Sequence, residues 1–148
     1  MRISVAAIVV SVAAGSLMAL PALAVQDQPV SVNGVESVCT GVGSAKDNPA
    51  WSSYPVKLTF SNMAGENEAA VHVAIVQGGK TVMETDCDAP WLLIKAAPAS
   101  YEVHASLAGS TRTASASFST SGNGGQKEVN VAFPTASGGP VPNSLPAR

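Results

Sequence analysis

Charge is scarce in this chain. Charged residues make up 12% of it, eight Lys and Arg against ten Asp and Glu, for a net charge of −2. Nucleic-acid recognition needs a basic patch, and docking on an anionic bilayer needs a polybasic run. The composition supplies neither. Cysteine occurs only at Cys39 and Cys87, with no C-x-x-C, so thiol-redox chemistry of that type is excluded. No G-x-S-x-G and no H-E-x-x-H is present, and no Ser/His/Asp grouping stands out among the many serines. No helical stripe long enough to build a helical domain follows residue 24. These absences argue against an enzyme: no catalytic residue, cofactor or resident metal is expected.

What is present begins with MRISVAAIVVSVAAGSLMALPALA. Arg2 precedes an apolar run, Pro21 breaks it, and Ala22-Leu23-Ala24 offers the small-x-small pattern of a signal peptidase site. Residues 1–24 therefore read as a secretory signal removed after Ala24. A retained anchor is disfavoured by Gly15, Ser16 and Pro21 and by the lack of following stop-transfer charges. The mature chain is expected to be exported, periplasmic or secreted, with no membrane anchor. Losing Arg2 moves its charge one unit further to the acidic side. In an oxidising compartment an even cysteine count reads as a disulfide, here Cys39–Cys87.

Residues 25–34, VQDQPVSVNG, are polar and carry a proline, and read as a flexible lead-in. Residues 135–148, TASGGPVPNSLPAR, are turn-formers without apolar periodicity and read as a disordered tail or tether. Between them, 35–134 should form one folded domain. There the apolar period is two. Val56, Leu58 and Phe60 alternate with Lys57, Thr59 and Ser61; Val71, Val73 and Ile75 with His72 and Ala74. Tyr101, Val103, Ala105 and Leu107 alternate with Glu102, His104 and Ser106; Val129, Val131 and Phe133 with Asn130 and Ala132. Weaker strands are expected at 35–41, 81–87, 91–95 and 112–119. Turn formers at 63–67, Gly78-Gly79, 108–110 and 121–125 separate them. Short alternating strands at this spacing predict an all-β fold, a single antiparallel two-sheet β-sandwich of transthyretin/Ig-like type. Lys57, Lys80 and Lys95 are expected to guard sheet edges.

The stretch AAVHVAIVQGGKTVMETDCDAPWLLIKAAPASYEVHASLAGSTRTASASFS carries a resemblance. Its A-x-V-x-V strand at 69–75, the turn ending Gly79-Lys80, the acidic turn at 86–90 and the Pro-Ala-Ser-Tyr-Glu-Val step at 98–103 resemble the carboxypeptidase regulatory-like domains. Ala89-Pro90-Trp91 stands where small, exported, stand-alone bacterial members often have GPW. The resemblance spans roughly 54–133. It implies a transthyretin-like sandwich in an accessory role and transfers no catalytic residue. Ala89 and Ala99 replace glycines usual in the family, so those turns should avoid positive φ.

Five stretches or groups of residues could carry chemistry. Cys87 lies between Asp86 and Asp88, and two carboxylates raise a thiol pKa instead of activating it; the disulfide reading prevails. Glu84, Asp86 and Asp88 share strand parity but lack the six to eight oxygens and the loop that Ca²⁺ takes. His72 and His104 fall on the polar sides of their strands and would meet if those strands were neighbours, yet two ligands make a weak Zn²⁺ or Cu²⁺ site. Trp51, Tyr54 and Trp91 could stack on a sugar, but are read as core residues plugging the sandwich ends. The run AIVQGGKT approaches a P-loop but lacks its first glycine and its following helix, so it reads as a hairpin. The expected function is a non-catalytic structural or protein-binding accessory whose partner is another envelope protein. The alternative is a ligand module for a metal ion or saccharide using those histidines, acids or aromatics. Three polar groups clustered in a pocket would favour an enzyme, coplanar exposed aromatics a sugar binder, and an open edge strand a protein partner.

Overall fold

The architecture, taken from a computed structural model, is described for residues 26–135 apart from Asn123. The expected leader, and residues 136–148 of the expected tail, lie outside that range. Nine strands are formed among the described residues: β1 (Pro29–Val32), β2 (Val35–Thr40), β3 (Val56–Asn62), β4 (Val71–Gln77), β5 (Lys80–Cys87), β6 (Trp91–Lys95), β7 (Ser100–Leu107), β8 (Thr113–Ser119) and β9 (Lys127–Phe133). They build two sheets, ordered β1-β2-β6-β3-β9 and β5-β4-β7-β8. The fold is all-β, a two-sheet sandwich. Among the described residues no helix is long and apolar enough to cross a membrane.

The period-two pattern does the positioning. Val56, Leu58 and Phe60 of β3 face Val71, Val73 and Ile75 of β4 across the interior, with Leu92, Ile94, Val103, Val131 and Phe133 filling the layer between. All eleven are buried; each such side chain contributes about 1.5–3 kcal/mol on leaving water. Tyr101 stacks on Phe118 with ring centroids 5.1 Å apart, and its hydroxyl donates to the Ala97 carbonyl at 2.7 Å. Burying that ring therefore leaves no orphaned polar atom.

Cys39 of β2 and Cys87 at the end of β5 form a disulfide that joins the two sheets, with Cα atoms 5.5 Å apart. Both cysteines are buried. Asp86 is one residue from Cys87, and strand alternation turns its carboxylate to the opposite, solvent side. Neither cysteine is free, so the Asp-Cys-Asp stretch offers no thiol.

Three expectations need correction. The stretch 25–34 is not wholly a loose lead-in, because it contributes β1. Asn33 and Gly34 both adopt positive φ, +50° and +79°, forming the tight turn that folds β1 antiparallel onto β2. Val32 then packs on the core. The sandwich is also not purely antiparallel. β9 crosses from the other sheet instead of returning by a hairpin, and so pairs with β3 in parallel, Leu58 opposite Val129. Finally, Lys57 and Lys95 sit on central strands, β3 and β6, and guard no edge; of these three lysines Lys80 alone lies on an edge strand.

The turn chemistry is as expected elsewhere. Gly78 and Gly79, at φ +57° and +78°, close the β4–β5 hairpin in the segment that approached a P-loop. Neither Ala89 nor Ala99 takes a positive φ, whereas Ala70, before β4, does.

Candidate functional site

The outer face of the four-stranded sheet gathers the titratable side chains. On β4, His72 stands opposite Asp86 of β5, and its Nδ1 lies 2.7 Å from the Asp86 carboxylate. Glu84, two residues earlier on β5, is 3.8 Å from His72 Nε2. β4 and β7 are neighbours, and the register sets His104 opposite Ala74 and His72 opposite Ser106. The two histidines are thus diagonal neighbours on one face. His104 turns to its own strand and to β8: Nε2 is 3.4 Å from Glu102, and Nδ1 is 3.4 Å from the hydroxyl of Ser115. His72, Glu84, His104 and Ser115 line one shallow groove of about 360 Å³.

This arrangement is two small clusters and not one site. Each imidazole is engaged by a carboxylate on its own side. Among the described residues no three His, Cys, Asp or Glu converge as metal ligands would. Asp88 lies beyond the end of β5, so the expected row of three acids reduces to Glu84 and Asp86 on the strand. The Ser115–His104–Glu102 line has the residue types of a nucleophile, base and orienting acid, which the sequence did not disclose. Its signal is the β7–β8 register, a long-range fact with no local pattern. Its Glu102 side chain is 67% exposed and its contacts are both 3.4 Å. The acid that orients the base of a working triad is buried, and this one stands in solvent.

The aromatics occupy the other sheet, and not as end plugs. Val38, Trp51, Tyr54 and Leu93 form a second small core on the outer face of the five-stranded sheet. Two 3-10 turns, Gly43–Asp47 and Pro49–Ser53, carry Trp51 over that face; the Asn48 side chain caps the second by accepting from Ala50 N at 2.9 Å. Trp51 Nε1 donates to the Ala45 carbonyl at 2.7 Å. Gln126 fastens the segment from the far end of the chain, donating to the carbonyls of Trp51 and Tyr54 at 2.7 and 3.1 Å. The Tyr54 hydroxyl donates to Glu36 at 2.5 Å. Burial, then that hydrogen bond and the Glu36 charge, push its pKa up to about 12.

Trp91 is half-buried beside this core. Lys57 lies over its ring at 4.3 Å and Lys95 over that of Tyr54 at 4.9 Å, so the two misassigned lysines are cation–π partners. Gly41, at φ +104°, passes so close that a Cβ there would stand 2.7 Å from Trp91 Cγ and Cδ2. Trp51 and Tyr54 are buried, and Trp91 is already covered by a cation and by main chain. The three aromatics therefore do not present a coplanar, open platform.

No family model matches the chain, and no curated protein is found similar to it.

Proposed function

We propose that the protein is a non-catalytic, exported sandwich of the carboxypeptidase regulatory-like type that acts as a protein-binding accessory in the cell envelope. A buried disulfide suits an oxidising, extracytoplasmic compartment, in keeping with the leader-like first 24 residues. The observation that carries the binding role is the composition of β8. Of the four edge strands, β1 contains Pro29, β5 contains Lys80, Glu84 and Asp86, and β9 contains Lys127 and Glu128. β8 reads TASASFS, with neither charge nor proline, and its hydrogen-bonded neighbour is β7, while β9 of the other sheet packs close beside it. Edge strands without such guards are templates for an added strand. Main-chain hydrogen bonds would supply the affinity, and the alternating Ser and Thr side chains the register.

Site-specific photocrosslinking in cells tests this. A crosslinker at Ser117 should capture one defined protein, mapping to an extended segment of it. Ser117→Pro, which removes a main-chain donor from the edge, should abolish partner binding while circular dichroism and melting report a folded sandwich. Capture only from position 72 on the open sheet face, or from no position on either sheet, would refute the edge reading.

A further inference from the structure

Resting on the edge reading of β8, we propose that the segment it accepts is an extended strand of the partner protein with Lys or Arg at its solvent-facing positions and apolar residues between them. The ladder shows which groups of β8 the edge presents. Thr120 N donates to the Ala99 carbonyl at 3.0 Å, and Leu107 N to that of Arg112 at 3.2 Å. Both bonds keep the register that sets Tyr101 opposite Phe118 and Val103 opposite Ala116, so Ala114, Ala116 and Phe118 direct their main-chain groups to β7. Thr113, Ser115, Ser117 and Ser119 direct theirs away from it, to the edge.

The same four residues carry the solvent-facing side chains of β8, all short and exposed. Ser117 stands opposite Glu102 of β7, whose side chain is 67% exposed and touches His104 Nε2 at 3.4 Å. β4, β7 and β8 contain no Lys or Arg to offset it. An added strand lies one spacing of about 4.8 Å beyond β8 and two from β7. Lys or Arg beside Ser117 passes over that short side chain to Glu102, whereas an acid there meets like charge. The inward row differs. Ala116 of β8 and Val129 of β9 are half-buried on the core, and these two edge strands lie close together. Apolar side chains of an added strand extend the core over that seam. A base on the inward row meets Lys127 instead. That lysine shares the parity of Val129 and, with Glu102, Ser117, Phe118 and Ser119, lines an open groove of about 440 Å³. The charges on the two sides of β8 thus set which row is basic. A second copy offering its own β8 brings only Thr and Ser to the outward row and no cation for Glu102.

Amide chemical-shift titrations of the purified full-length protein with three capped peptides of seven residues, the length of β8, test this. Each has Val at alternate positions, with Lys, Ser or Glu between. The Lys peptide should shift the amides of Ser115 and Ser117 and bind about threefold more tightly than the Ser peptide, as one exposed charge pair allows. The Glu peptide should bind most weakly. Glu102→Gln should bring the Lys peptide level with the Ser peptide. Glu84→Gln on β5 should not, because four strand spacings, about 19 Å, exceed the screening length of about 8 Å. Both carboxylates are exposed, so both variants should melt like the parent. Ser117→Pro should remove binding of all three peptides. Equal binding of the three at the β8 amides would overturn the basic assignment and leave the edge reading standing. Shifts confined to His72 and its face that survive Ser117→Pro, or no shift with any peptide, would overturn both. A concentration-dependent dimer of the free protein, abolished by Ser117→Pro, would give the edge to a second copy and overturn the basic partner.

Discussion

Replacing both Cys39 and Cys87 by alanine removes the disulfide cross-link between the sheets. The bond closes a loop with a sequence separation of 48 residues. The chain-entropy relation puts its restriction of the unfolded state at about 4 kcal/mol at 25 °C. Because both sulfurs are buried, the alanine pair also loses core contacts, so 4 kcal/mol is the smaller part of the expected range. For a domain near this size each kcal/mol moves the melting temperature by about 4 °C, which gives a fall of about 15 °C. Thermal melts followed by far-ultraviolet circular dichroism, with and without reductant, read this directly. Urea titration adds an independent signature: an untied denatured chain exposes more surface, so the m-value should rise. A fall of less than about 5 °C with an unchanged m-value would show that the cross-link does not restrain the unfolded chain, and the argument from loop length would fail.

Gly41→Ala forces a side chain onto Trp91 at a φ of +104°; a loss of about 2 kcal/mol and an altered Trp emission are expected, and a melting point within about a degree of the parent would contradict the packing described. Tyr54→Phe isolates a pH effect. With the folded pKa raised to about 12 against about 10 in the unfolded chain, both states are protonated below pH 10 and the contribution is whole. Above that the unfolded state ionises first, so the stability of the parent relative to Tyr54→Phe should hold steady to about pH 10 and decline toward pH 12. A difference in melting temperature that stays flat across that window would mean that burial and the Glu36 contact do not hold the phenol protonated.

Local chemistry was legible and long-range pairing was not. Alternation in Val56-Lys57-Leu58-Thr59-Phe60 and in Val71-His72-Val73 fixed strand type and inward faces, and the eight strands expected from it are present. The cysteine pairing followed from having only two cysteines. β1 escaped because a four-residue strand with a proline carries little periodicity, although Asn33-Gly34 is a hairpin signal in its own right. Strand parity placed His72 and His104 on polar faces, but their diagonal relation depends on β4 and β7 being neighbours. The placement of Lys57 and Lys95 failed for the same reason, since nothing local distinguishes a central strand from an edge. Trp51 was rightly read as buried, yet its small core lies outside the sandwich, where a pair of 3-10 turns with no apolar period carries it.

The pairing of β9 with β3 bears on how the chain reaches this state. Val129 meets Leu58 and Val131 meets Phe60 across a separation of about 70 residues, and a parallel ladder admits no short turn to seed it. Until 127–133 are available, β3 is itself a sheet edge with an unfilled ladder. A growing chain therefore keeps an adhesive flank open until nearly the whole domain has been synthesised. Folding should accordingly be slow, finish at β9, and depend on whatever shields β3 during the wait.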